Sequence, residues 1–164
     1  MEFHSFLSDL TTTLLGGILL ALFFFLVKEK ICPLPQVSGQ WYFEMRTEVT
    51  AYRPYEGMVL RYVAMVWREG HTIKGTVEKI YEISTTGERA FVGSNRTRGI
   101  IEGYIEKNYL SKDKILMHIK ENGHGRESTY FFTLTAQTNL AMTGFFQAMV
   151  ANQTGTVRWQ RESF

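Results

Sequence analysis

A run without one charged side chain, Leu10 to Val27 (LTTTLLGGILLALFFFLV), sits almost at the N-terminus. The hydrocarbon core of a bilayer is about 30 Å thick, and a helix needs about 20 apolar residues to cross it. Phe6 and Leu7, just ahead of Ser8 and Asp9, bring the segment to that length. Beyond Pro33 the chain changes character and becomes polar and strand-forming. The sequence therefore divides into a transmembrane anchor (1–30), a linker (31–38) and a soluble domain (39–164).

The flanks of the run distinguish an anchor from a secretion signal. A cleaved signal begins with a basic stretch and ends at small residues. Here the leading segment MEFHSFLSD is acidic and the trailing FFFLVKEK offers no small-residue cleavage site. The expectation is a retained, single-pass anchor. Lys28 and Lys30 follow the span and no Lys or Arg precedes it, so the positive-inside rule places the C-terminal domain in the cytoplasm. Within the span, Gly17 and Ala21 lie four apart, a spacing that lets two helices approach closely and makes this face a candidate for self-association.

Charge and cysteine content narrow the function classes. Net charge is +2. Residues 1–30 carry Glu2, Asp9 and Glu29 against Lys28 and Lys30, a net of −1, which leaves +3 for the remainder. That is too mild for binding a DNA or RNA duplex, which calls for a concentrated basic face. The single cysteine, Cys32, excludes an intramolecular disulfide and a multi-cysteine metal site. His71, His118 and His124 are scattered without metal-ligand spacing. No nucleophile–base set is suggested by position, so neither a metal, a cofactor nor an enzymatic activity is expected.

From Gly39 onward the hydrophobic pattern has a period of two. In GQWYFEMRTEVT, Trp41, Phe43, Met45 and Val49 share one face, and Tyr42, Glu44, Arg46 and Glu48 the other. Eight strands are expected, at about 40–50, 58–69, 72–84, 98–108, 114–121, 127–135, 139–150 and 155–162. Pro33, Pro35 and Pro54 all fall outside them. Eight such strands suit an all-β, antiparallel up-and-down barrel, which leaves no exposed edge. Alternate loops then lie at one end. Short connections (Gly70–His71, Tyr109–Asp113, Ala136–Thr138) share the end where the anchor arrives. The longer AYRPYEG, TTGERAFVGSNRT, ENGHGRE and ANQTG share the far rim.

Function concentrates on long loops held by a rigid scaffold. The far rim carries Arg53, Arg89, Arg96, Arg98 and Arg126 and no lysine, with Tyr52, Tyr55, Phe91 and, just inside a strand, Tyr130. The planar guanidinium fork matches a phosphate bidentately, and aromatic faces stack nucleobases. This set is a candidate site for a small nucleotide with several phosphates. At the other end, Trp41 is expected to plug the barrel, with Arg158 or Arg161 packing on it.

The N-terminal membrane segment, followed by a compact barrel that opens with GQWYFEM and closes with MTGFF…GTVRWQR, resembles a known group. It is similar to the membrane effectors of bacterial CBASS-type antiphage signalling, the two-transmembrane, β-strand-rich effectors whose lipocalin-like barrel binds a cyclic dinucleotide. That family carries two spans, and this chain has room for one. The resemblance implies a bacterial inner-membrane protein whose barrel reads a cyclic di- or oligonucleotide messenger made by a partner nucleotide cyclase. It also implies homo-oligomers whose clustering disrupts the membrane and kills the infected cell. Whether the messenger triggers or restrains clustering stays open, with triggering the commoner logic. Two other readings stand beside it. One is an anchored lipocalin-like carrier of a lipid or other apolar ligand. The other is an interaction module whose barrel is filled by its own side chains, among them Phe131, Phe132, Met142, Phe145 and Phe146.

Overall fold

A computed structural model describes residues 2–31, 33–123 and 126–164; the side chains of residues 2–5, 123 and 126 lie outside that description. The chain forms two units, Met1–Pro33 and Leu34–Phe164. In the first, helix α1 (Glu2–Leu26) runs into a π-helical turn, Val27–Ile31. Phe6–Ile31 is long and apolar enough to cross a membrane. Threonines are poor helix formers, because their hydroxyls compete for backbone groups. Here the hydroxyls of Thr11 and Thr12 donate to the Ser8 carbonyl and that of Thr13 to Asp9, so each polar group is satisfied inside the helix itself.

The second unit is a barrel. Its strands are β1 (Gly39–Val49), β2 (Val59–Glu69), β3 (Thr72–Ser84), β4 (Gly87–Ala90), β5 (Arg98–Glu106), β6 (Lys114–Gly123), β7 (Arg126–Thr138), β8 (Ala141–Ala148) and β9 (Gln153–Gln160). All pair antiparallel in the order β2-β1-β9-β8-β7-β6-β5-β3, and β2 pairs back to β3 to close the ring. The eight expected strands are all present. The sequence reading missed β4, a short hairpin partner folded onto the end of β3 at Tyr81–Ser84. Exposed and polar on every residue, Gly87–Ala90 has no period-two apolar signal to find.

Alternation decides what lies inside. Trp41, Phe43 and Met45 of β1, Tyr62 and Ala64 of β2, Phe132 and Leu134 of β7 and Val157 and Trp159 of β9 are buried at 4 % exposure or less. Phe43 stacks on Trp159 at 4.1 Å and on Tyr62 at 4.7 Å between ring centroids. A barrel of this strand number is just wide enough for side chains to fill, and these rings fill it, leaving the interior no room for an apolar passenger. Of the phenylalanines expected inside, Phe132 and Phe146 are buried, but Phe131 and Phe145 face outward at 50 % and 67 % exposure because they fall on the opposite parity. Tight coiling is made possible by inward glycines: a Cβ at Gly155 would lie 1.9 Å from the Arg46 carbonyl oxygen, and one at Gly144 2.0 Å from that of Thr133.

The end at which β1 begins is sealed. Trp41 donates from Nε1 to the Val37 carbonyl at 2.7 Å, which pulls the preceding segment across the opening. The Arg161 guanidinium lies 3.7 Å above the Trp41 ring and donates to the carbonyls of Ser38 and Gln40, both at 2.9 Å. The expected plug is therefore in place, and Arg161 rather than Arg158 packs on it.

Candidate functional site

The opposite end is polar, and strand parity builds it. On β6 the inward residues Ile115, Met117 and Ile119 are followed by Glu121, 4 % exposed. On β3, Ile73 and Val77 are followed by Lys79, opposite Tyr62 of β2. A β-bulge between Arg61 and Tyr62 then adds one residue to β3, so that Leu60 faces Glu82 and Arg61 faces Tyr81. A bulge re-aims the side chains that follow it. Here it turns Glu82 to the inside together with Lys79 and sends Tyr81 outward, where Arg61 lies 5.7 Å from its ring.

These groups meet in the barrel mouth. Tyr62 donates its hydroxyl to Glu121 Oε2 at 3.0 Å. Lys79 Nζ lies 3.4 Å from Glu82 Oε2 and 3.9 Å from Glu121 Oε1, the second beyond hydrogen-bond distance. Glu121 Oε1 is buried and has no hydrogen-bond partner. Burial pushes the Glu121 carboxyl above its usual range, opposed by the Lys79 ammonium and the Tyr62 hydroxyl. Burial also drives the Tyr62 phenol well up, with Tyr130 and Glu121 adding to it, and raises Tyr130, again with help from the Glu121 charge. Both phenols stay protonated donors throughout the physiological range. Across the mouth, Thr47 donates to Gln153 Oε1 at 3.1 Å, and Gln153 Nε2 donates to the Val150 carbonyl at 3.0 Å.

Phe91 covers one side. The segment after β4 brings it back to β3, where its N–H donates to the Ile80 carbonyl at 2.9 Å. Its ring is 8 % exposed and sits between two cations, Lys79 Nζ at 4.9 Å and the Arg89 guanidinium at 5.1 Å. Between Phe91, Tyr55, Tyr130 and the floor formed by Glu121 and Gln153 lies an open cavity of about 310 Å³. That is the lower end of the range for small-molecule sites.

The residues named from sequence fall into three groups. Tyr55, Arg89, Phe91 and Tyr130 line this cavity. Tyr52 makes an edge contact with Tyr55 at 5.0 Å but is 54 % exposed and stands outside the lining, as does the exposed Arg53 that opens the 3-10 turn Arg53–Tyr55. Arg96 and Arg98 turn away from the mouth. Each binds a different oxygen of Glu78 at 3.1 Å, and both line shallow grooves on the outer surface. The arginines therefore do not form one converging ring, because Glu78 holds two of them by charge. The Arg126 backbone pairs with Gly123 in β7, while its side chain, like the GHGR turn residues His124 and Gly125, lies outside the described residues. Among the described residues no group of His, Cys, Asp and Glu could hold a metal ion. In the other unit, Gly17 lies on the α1 surface with nothing within 4 Å of a built Cβ, and Ala21 follows one turn on.

The sequence reading passed over Lys79, Glu82, Glu121 and Gln153. For Glu121 and Lys79 a signal existed, since each continues an inward run by two residues. Glu82 had none, because its direction depends on the bulge.

No protein-family model and no curated protein matches the chain. Two solved structures are similar in fold. One is a de novo designed fluorescence-activating β-barrel, at 13 % identity and a TM-score of 0.53, over 77 % of this chain and 94 % of that one. The other is a redesigned β-barrel, at 12 % identity and a TM-score of 0.50, over 78 % and 93 %.

Proposed function

We propose that this protein is a membrane-anchored receptor whose barrel mouth takes up a cyclic nucleotide messenger on the cytoplasmic side of a bacterial inner membrane. The observation that carries the reading is the mouth itself: a cavity walled by Tyr55, Phe91 and Tyr130, with Arg89 on its lip. Aromatic walls suit a base, with stacking worth about 1–3 kcal/mol each. Among the described residues Arg89 has a ring contact with Phe91 but no ion pair, so its guanidinium is available to a phosphate. The filled interior weighs against a lipid carrier. In this reading the ligand binds two assembly states of the anchored chain with different affinity, since equal affinity would switch nothing. Self-association of the anchors through Gly17 and Ala21, and the loss of membrane integrity that follows, is the output.

The test is calorimetry on the full-length chain in detergent micelles with a panel of cyclic di- and trinucleotides. Binding is expected for at least one, and Arg89→Ala should weaken it about tenfold or more, as loss of a charged hydrogen bond does. Absence of heat and of any thermal shift across the panel overturns the reading. Lys114, at the opposite end of the barrel, supplies the control substitution.

A further inference from the structure

Glu121 Oε1 is the one buried side-chain oxygen among the described residues that lacks a hydrogen-bond partner. It belongs to a side chain lining the mouth cavity, not to one sealed in the core. Its neighbours cannot satisfy it. Tyr62 is committed to the other oxygen, Oε2, at 3.0 Å. Lys79 stops 3.9 Å short, held by Glu82 at 3.4 Å and by the face of Phe91. A buried polar atom without a partner is costly, and nearly all such atoms in folded proteins find one. Water can take the place while the cavity is open to solvent. A ligand that displaces this water must bring a donor of its own or lose affinity.

Resting on the nucleotide reading above, we propose that Glu121 is the specificity-determining residue of the mouth and that it selects a guanine base. A carboxylate offers two acceptor oxygens side by side. The guanine edge offers two adjacent donors, the N1 imino and the N2 amino group, and the two patterns match. Adenine presents a lone pair at N1 beside a single amino group, which would set that lone pair against the carboxylate. The cavity, at about 310 Å³, is at the small end of ligand sites. It therefore accommodates one base over Glu121 and leaves the phosphates near the lip, where Arg89 lies over Phe91.

The experiment compares cyclic di-GMP, cyclic di-IMP and cyclic di-AMP on the full-length chain in micelles. Cyclic di-IMP keeps the imino donor and lacks the 2-amino group. Dissociation constants are expected to rise about tenfold from the first to the second and further to the third, the range for one hydrogen bond to a charged group. In Glu121→Gln the guanine preference should collapse to less than about threefold, since the amide replaces one acceptor by a donor. Equal binding of the three by the wild-type chain, or tighter binding of the adenine compound, overturns the assignment of Glu121 and leaves the nucleotide reading standing. No binding of any of the three overturns the assignment, and the wider panel above decides whether the nucleotide reading falls with it. The wild-type comparison stands alone should Glu121→Gln fail to fold.

Discussion

The two ends of the barrel are built from the same strands and solve opposite problems. At the sealed end every demand is met locally. Trp41 is 1 % exposed, its indole N–H is bonded, and Arg161 covers its face while tying the 36–40 backbone down. At the mouth, two acids, a lysine and two phenols sit at the rim of an apolar interior with one oxygen left unbonded. The first arrangement maximises stability. The second holds polar groups where they are least comfortable, which is the state expected of a site that still awaits a partner.

The largest effect should come from the sealed end. Trp41→Ala removes a fully buried indole and the platform for Arg161, and should destabilise the protein by about 3–5 kcal/mol in denaturant unfolding. A loss under about 1 kcal/mol would mean that this end is not closed as described. An intermediate effect is expected at the mouth and with a sign that depends on pH. The folded protein holds the Glu121 proton more tightly than an unfolded chain, whose carboxyl titrates near 4.5. Its contribution to stability is therefore fully present below that value and is lost as pH rises through the elevated folded one. Glu121→Gln should gain on the wild type over the same pH interval, by on the order of 1 kcal/mol, the scale for relieving an unsatisfied buried group. Thermal midpoints recorded from pH 4 to about 8 would show the two curves diverging; parallel curves would show that Glu121 is not desolvated. The smallest effect is reserved for the outer wall. Arg98→Ala, with 77 % of its side chain exposed, should change stability by less than about 1 kcal/mol. It should also leave ligand affinity unchanged, in contrast to Arg89→Ala.

Much of this was legible before any coordinates. The parity of Trp41, Phe43 and Met45 assigned β1 its inner face, and the turn residues at Gly70–His71 placed the β2–β3 hairpin between Glu69 and Thr72. Parity also reached into the site further than it was followed. Ile115, Met117, Ile119 and Glu121 form one unbroken inward series, and a carboxylate ending such a series marks a buried acid. The rim arginines were the opposite case. Their residue type was plain, but a loop side chain has no periodicity to say where it points, and Glu78 took two of them.

What the sequence determined by itself was everything that follows from alternation and length: a span apolar enough for lipid, strands of two-sided character, and which rings fill the barrel. These depend on neighbours two or four residues apart, and the chain carries that information locally. Only the tertiary structure decided the mouth. Its members come from β2, β3, β6, β7 and β9 and from the segment carrying Phe91, and one bulge in β3 sets which of Tyr81 and Glu82 faces inward. Cross-strand register, not local pattern, controls those distances. A one-residue shift reverses a strand's faces, so the site exists only once the ring has closed.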